Sequence, residues 1–459
     1  MTAKSTETSI YSIPTEQKKL TREQGEAVGL LSIGTFLEYF DLMLYVHMAV
    51  LLNELFFPKY DPHTTALLSA AAFCSTYVLR PFGALIFGYI GDNVGRKVTV
   101  VITTALMSLS CLVMATLPTY AEIGIKAAWL VTICRVVQGM TSMGEKVGAE
   151  LYLTEYLLPP KRHMSVALMS LAASAGASAA LALAVFVTSY NLNWRYAFWF
   201  GAGVAVVGFV ARTTLRETRD FADAKRRLQN NLSKFKNVRY TDQLVIDKVN
   251  AKVSHKTTLS LLFIDCIWPV MFYFVYVHCA GILKSSFNYT AEQIIENNLI
   301  VSLVMIANIS LVVYLSNRVH PLKILIVKFF ISFTTVIAAP ILLNYARNGT
   351  DILIIQSLIL FCAIDSAPAN GVFFKYFPVF KRFTYTGVIY AVSRALVYVI
   401  TSIGLVYLTE YLGNWGSLII TVPTLVAFWY GLSYFIAQEK IEGNFLANKK
   451  IPAGFEASV

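Results

Sequence analysis

Long apolar runs separated by short polar connections organise this chain from residue 27 to residue 437. A bilayer hydrocarbon core about 30 Å thick needs roughly 20 apolar residues per helix. On that scale the pattern predicts spans at 27–57, 64–90, 98–118, 123–153, 163–188 and 194–213, then at 258–284, 294–316, 322–345, 350–377, 385–411 and 415–437. The expectation is an all-α membrane protein of twelve transmembrane helices in two six-helix pseudo-repeat bundles. Its parts are a tail over 1–26, a first bundle over 27–213, a linker over 214–257, a second bundle over 258–437 and a tail over 438–459. Within the linker, Leu228, Leu232 and Phe235 recur at near-helical spacing among Lys, Arg and Asn, the pattern of a basic surface helix resting on anionic lipid.

The charges test the spans independently. Lys and Arg gather in alternate connections: Lys18, Lys19 and Arg22, Arg96 and Lys97, Lys161 and Arg162, the linker, Arg318 and Lys323, Lys381 and Arg382, and Lys440, Lys449 and Lys450. The intervening connections carry little more than Lys59, Lys126, Lys284 and Arg347. This asymmetry places both termini in the cytoplasm. Composition agrees, with 56% hydrophobic and 14% charged residues and a mean hydropathy of +0.59, against roughly 25% charged in soluble domains. The net charge of +11 therefore reflects topology and does not imply a nucleic-acid partner. Cys74, Cys111, Cys134, Cys266, Cys279 and Cys362 all lie in apolar segments without metal-ligand spacing, so no disulfide, metal or cofactor is expected. The polar N-terminal stretch has no apolar core before a small-residue cleavage site and reads as a retained tail.

One connection is chemically distinctive. Residues 88–97, GYIGDNVGRK, join the second and third spans, and VYLSNRVHPLK occupies the matching place in the second half when Asp92 is set against Asn317. Gly95 permits positive φ and Gly88 a close helix approach, Asp92 lies before a helix start, and Arg96 and Lys97 hold the turn at the surface.

Ionisable groups inside spans are costly unless paired or hydrated, which makes each a functional candidate. Glu38, Asp41 and Tyr45 share one face of the first span, the two acids roughly 16 to 21 Å deep at 1.5 Å per residue. Arg135 on the fourth span lies roughly 18 Å deep from the opposite side. A carboxylate facing Arg135 keeps its charge, and takes up a proton more readily when the helices separate or a solute competes for the guanidinium. Alternatively, the same groups form a static pair fixing helix register. Arg80 reads as a structural or gating residue that snorkels or meets a phosphate. Asp365 and Arg394 either pair with each other or touch solute. Lys146 and Glu150 stand one turn apart and form either a structural pair or part of a site. His47 and His278 read as packing residues, and SLAASAGASAALALA in the fifth span as a close-packing surface.

The whole arrangement resembles the major facilitator superfamily. The turn matches that family's G-x-x-x-D-[RK]-x-G-[RK]-[RK] signature at Gly88, Asp92, Gly95, Arg96 and Lys97 and departs from it at Asn93. The chain is more closely similar to the metabolite:proton symporter branch, which includes proline/betaine, ketoglutarate and citrate carriers. That likeness rests on FLEYFDLMLY, LRPFGALIFG, RVVQGMTSMGEKVGAE, YLLPPKR, NWRYAFWFGA and YFPVFKRFTYTG. It implies a gating role for the turn, with Arg80 beside it. It further implies proton coupling through Arg135, which with Gly139 matches an Arg-x-x-x-Gly motif, and through Glu38, Asp41 and Glu145. Tyr45 and Gln138 are candidate solute contacts with Lys146, Asp365 and Arg394; Lys146 stands where the branch usually has an aromatic residue, and Lys375 where an acid is common.

The function expected is a proton-coupled symporter importing a small zwitterionic or carboxylate metabolite, such as proline/betaine or an organic acid, by alternating access. The alternatives are a non-transporting receptor or sensor on the same scaffold, or a porter of sugar or another solute. No ATP-binding loop or catalytic constellation appears, so an enzyme is not expected. The partners expected are a small-molecule solute, protons and lipid, in a monomer in a bacterial inner membrane.

Overall fold

The computed structural model describes residues 17, 19–56, 76–190, 192–213, 253–443 and 445. Helices stand at each of the twelve expected places among them. The first half comprises α1 (Arg22–Phe56), α2 (Arg80–Asn93), α3 (Arg96–Thr116), α4 (Ile125–Tyr156), α5 (Lys161–Ser189) and α6 (Arg195–Thr213). The second comprises α7, running through His255–Asp265, Ile267–Tyr273, a π turn at Phe274–His278 and Cys279–Phe287; α8 (Ala291–Ser316); α9 (Pro321–Tyr345); α10, in two pieces, Gly349–Cys362 and Ala367–Phe373; α11 (Val379–Leu412); and α12 (Leu418–Ile441). Residues 64–75 of the second predicted span, most of the linker and the outer parts of both tails lie outside the described residues, as do Cys74 and the side chains of His47, Arg96 and Glu145.

Eight runs among the described residues are long and apolar enough to cross a membrane, the last containing both α11 and α12. α4 is not one of them despite its 32 residues, because Arg135, Glu145, Lys146, Glu150 and Glu155 interrupt it. Apolar side chains such as Phe82, Leu85, Leu109, Trp129, Ile403 and Val426 face outward, as a lipid-facing belt requires.

Small residues set the helix spacing. A Cβ on Gly176 of α5 would lie 2.1 Å from the Phe36 carbonyl of α1, one on Gly83 of α2 2.5 Å from the Met140 carbonyl of α4, and one on Gly139 2.2 Å from the Thr76 carbonyl. The backbones of α1 and α5, and of α2 and α4, touch only because side chains are absent there. The fifth-span run thus packs closely at Gly176, as its composition predicts, but its Ser170, Ser174 and Ser178 also line the central cavity.

Two connections repeat one device. Arg162 Nε donates to the Leu157 carbonyl at 2.8 Å, and Arg382 Nε to the Phe377 carbonyl at 3.0 Å, each reaching back five residues across a Pro-containing corner. The α4–α5 and α10–α11 corners are therefore structural counterparts in the two halves.

α7 and α10 are discontinuous. Pro269 has no N–H to give the carbonyl four residues before it, that of Asp265, where the first piece of α7 ends. In α10 the helix stops at Cys362 and restarts at Ala367, with Pro368 in its first turn and Asp365 Oδ1 accepting the Ala367 N–H at 3.0 Å. Both breaks open onto the centre of the molecule.

Candidate functional site

Where the halves meet lies a central cavity with about 1040 Å³ of empty space, open solvent included. Among the described residues its wall carries three bases, Arg80, Lys146 and Arg394, and three acids, Glu150, Asp265 and Asp365. Tyr39 and Tyr77 of the first half and Phe272, Tyr390 and Tyr398 of the second supply an aromatic lining.

On the second-half side, Arg394 is held from several directions. Its Nη1 donates to the Asp265 carbonyl at 3.2 Å and to Ser393 Oγ at 3.0 Å, and stands 4.0 Å from Asp265 Oδ1. Its guanidinium carbon lies 3.5 Å from the centre of the Tyr390 ring. The pairing left open by the sequence is thus resolved toward Asp265, while Asp365 caps the restarted helix.

The seam itself is spanned by polar contacts. The Tyr39 and Tyr390 hydroxyls are 3.3 Å apart, and Lys146 Nζ sits 5.4 and 5.3 Å from the centres of those two rings, within cation–π range. Glu150, one turn along α4, accepts a 2.7 Å hydrogen bond from Asn370 Nδ2 on the second piece of α10. It is 1% exposed, so the contact fixes a buried carboxylate between the halves. Lys146 and Glu150 are therefore more than a pair on one helix.

On the first-half side, Arg135 is 1% exposed. Its Nη1 donates to Gln138 Oε1 at 3.1 Å and to the Leu42 carbonyl at 3.4 Å, and its guanidinium lies 4.2 Å from the Tyr45 ring centre. For Asp41, the contacts described lead away from this guanidinium. Asp41 instead hydrogen-bonds the Cys111 thiol, which accepts from Gln138 Nε2 at 3.4 Å. Acid and base are joined through Cys111 and Gln138, because Asp41 turns toward α6, where Gly201 leaves it room. Glu38 is buried at 3% exposure on the same helix. Tyr45 and Gln138 belong to the Arg135 cluster and are not on the cavity wall.

At the end of the molecule bearing the α2–α3 turn, the halves are closed against each other. Asp92 Oδ1 accepts from Phe383 N at 3.1 Å, and its Oδ2 from Thr384 N at 2.8 Å and Thr384 Oγ1 at 2.7 Å. Gly88 and Gly91 make that approach possible, since a Cβ on either would clash with Thr384 or Phe383. Gly95 has φ 154°, the positive value that the turn requires, and Lys97 follows it half-buried. Nearby, Glu155 of α4 pairs with Arg382 of α11 at 3.2 Å, and Lys161 Nζ of α5 donates to Asn317 Oδ1 at 3.1 Å. Asn317 is the residue that the internal repeat set against Asp92. Lys375 bridges Glu439 and Glu442. His320 Nδ1 accepts the Leu322 N–H at 3.4 Å and so caps α9; burial holds this imidazole below its ordinary pKa, Glu439 opposing and Lys323 and Lys375 reinforcing.

Arg80 lies away from this closed end's surface. It is 3% exposed, lines the cavity and rests 4.3 Å from the Tyr77 ring centre, and so does not snorkel outward. His278 stacks on Phe274 at 5.3 Å, and Cys111, Cys134, Cys266, Cys279 and Cys362 are free thiols. The site residues that the sequence reading missed are Asp265, Asn370, Tyr39 and Tyr390. Asp265 had a readable signal, a lone acid inside an apolar span four residues before a proline.

Comparison with known proteins points one way. A family model described as Major Facilitator Superfamily matches residues 31–402. The Escherichia coli (strain K12) inner membrane metabolite transport protein YhjE is 34% identical over 208 residues, 43% of this chain and 47% of that protein. The proline/betaine transporter of Salmonella typhimurium is 36% identical over 137 residues, 30% of this chain and 27% of that protein. The chain thus spans less than half the length of these curated relatives. In three dimensions it resembles the proton:xylose symporter XylE, with a TM-score of 0.74 at 13% identity over 90% of this chain and 95% of that one.

Proposed function

Because the chain belongs to the Major Facilitator Superfamily, we propose that it is a proton-coupled secondary transporter that moves a small zwitterionic or carboxylate metabolite by alternating access. The observation that carries this reading is the central cavity, whose wall brings three bases and three acids together at the seam between the two halves. A charge-balanced site of this kind suits a solute bearing both signs, and the tyrosine faces suit an organic cation. Relatives named as a metabolite transport protein and a proline/betaine transporter support the solute class.

In this mechanism the bundles over 27–213 and 258–437 rock about the cavity. Asp92 with Thr384, Glu155 with Arg382 and Lys161 with Asn317 hold one end shut, the end we assign to the cytoplasm of a bacterial inner membrane. Gly88, Gly95, Arg96 and Lys97 shape and anchor that gate. Among the described residues, Arg135 Nε and Nη2 have no hydrogen-bond partner in this arrangement. Asp41, separated from Arg135 by Cys111 and Gln138, would meet those donors when α1 and α4 shift, and release its proton on doing so. Glu38 and Glu145 extend the relay, while Lys146, Asp365 and Arg394 hold the solute, with Tyr45 and Gln138 positioning Arg135.

Uptake of radiolabelled proline, glycine betaine and succinate into proteoliposomes under an imposed pH gradient tests the reading. Accumulation of one solute above equilibrium, abolished by a protonophore, is the expected result. Binding without accumulation would favour a receptor on the same scaffold.

A further inference from the structure

The three bases of the cavity wall are not equally provided for. Arg394 has Asp265, Ser393 and the Tyr390 face. Lys146 has the Tyr39 and Tyr390 faces and Glu150 one turn along its helix. Arg80 rests on the Tyr77 face with Tyr390 and Tyr398 near its charge, and among the described residues its buried Nε and Nη2 have no hydrogen-bond partner. Those two nitrogens form one edge of the guanidinium, with parallel N–H bonds spaced to match the two oxygens of a carboxylate. A buried cation without an acceptor is disfavoured, so an acceptor brought to this fork would be bound favourably. None of the cavity acids fills it here: Asp265 faces Arg394, Glu150 accepts from Asn370, and Asp365 caps Ala367.

We infer that Arg80 is the receptor for a carboxylate of the transported solute, docked bidentate on its Nε/Nη2 edge. The occupant is a small organic carboxylate whose body lies against the aromatic group formed by Tyr77, Tyr398 and Phe272, with ring centres 4.4 Å apart for the first pair and 6.2 Å for the second. The Tyr77–Tyr398 contact joins the segment just before α2 to α11 beside the guanidinium, so a carboxylate that reaches the fork loosens a bridge between the halves. Arg135 leaves the same two nitrogens unmatched but is absent from the cavity wall, which separates its task from that of Arg80. That the docked molecule is cargo rests on the transporter reading; that it docks through Arg80 does not.

The test is binding to the purified full chain, read by ligand-induced thermal stabilisation. The probes are L-proline, glycine betaine and succinate, each beside the carboxamide in which a neutral amide replaces the carboxylate: prolinamide and the betaine amide, which keep the ammonium charge, and the uncharged diamide of succinate. At least one carboxylate is expected to stabilise the wild type while its amide does not. Arg80→Lys, which keeps the charge but lacks the planar fork, should weaken that carboxylate about tenfold, and Arg80→Gln should abolish the response. A purely structural Arg80 would lower the ligand-free melting temperature and leave the preference for carboxylate over amide unchanged. The assignment is overturned if no carboxylate binds the wild type, if amides bind equally well, or if either folded variant keeps carboxylate affinity within about twofold. Binding that passes these criteria without gradient-driven uptake would refute the transporter reading and leave the Arg80 assignment standing.

Discussion

Asp265 meets Arg394 in two ways at once, a backbone carbonyl that accepts its hydrogen bond at 3.2 Å and a carboxylate oxygen at ion-pair distance, 4.0 Å. The first exists because Pro269 cannot donate to that carbonyl, so a helix break becomes part of a charge site. Both residues are less than a tenth exposed, and removing one partner strands the other. Arg394→Ala is therefore expected to destabilise the protein by about 3 to 5 kcal/mol, and the Asp265→Ala/Arg394→Ala double variant by less than the sum of the singles. Thermal melts of the four proteins in detergent check this coupling.

Asp92 holds the start of α11 through three hydrogen bonds. Bonds to a charged acceptor contribute about 1.5 to 3 kcal/mol, and Asp92→Ala should shift the population away from the closed gate by more than tenfold. Spin labels on α2 and α11 near this contact should report longer distances in the variant.

The chain from Asp41 through Cys111 and Gln138 to Arg135 makes a graded set of expectations. Asp41→Asn should abolish gradient-driven accumulation while sparing solute exchange, since the cavity wall is untouched. Cys111→Ala should slow accumulation without abolishing it. Full accumulation by both Asp41→Asn and Arg135→Ala would sink the proposed coupling.

His320 sets a pH dependence at the closed end. Its folded-state pKa lies below the unfolded value of about 6.5, so the stability of the neutral cap is fully present above that unfolded value and is lost as pH falls through the lower folded-state pKa, where the capping nitrogen takes up a proton. The gate should loosen on acidification, and His320→Asn, which can still cap α9, should remove that component from the pH profile of the α2–α11 distance.

The touching backbones of α1 and α5 leave no room at Gly176, where a Cβ would lie 2.1 Å from the Phe36 carbonyl. Gly176→Val should cost about 1 to 3 kcal/mol or more by overpacking and reduce the yield of monodisperse protein. The same change at Gly203, where nothing lies within 4 Å of the added carbon, should be neutral.

The twelve helical places were legible because crossing hydrocarbon imposes a length and a composition on each segment, and a one-dimensional pattern records both. The Asp92 turn was legible for a similar reason: its glycines and acid answer local backbone demands, and the α11 contact completes them. Depth along a helix axis also follows from counting, and it placed Asp41 and Arg135 at comparable levels. Rotation about that axis does not follow from counting, since each residue advances the helix by about 100° and small register changes redirect a side chain. Asp41 consequently faces Cys111, Arg394 finds Asp265 in preference to Asp365, and Arg80 points into the cavity and away from the headgroups. The sequence by itself determined how many helices cross and where along them the charges lie; only the packing of one half against the other decided which charges meet, because partners such as Glu150 and Asn370 belong to segments that nothing local brings together.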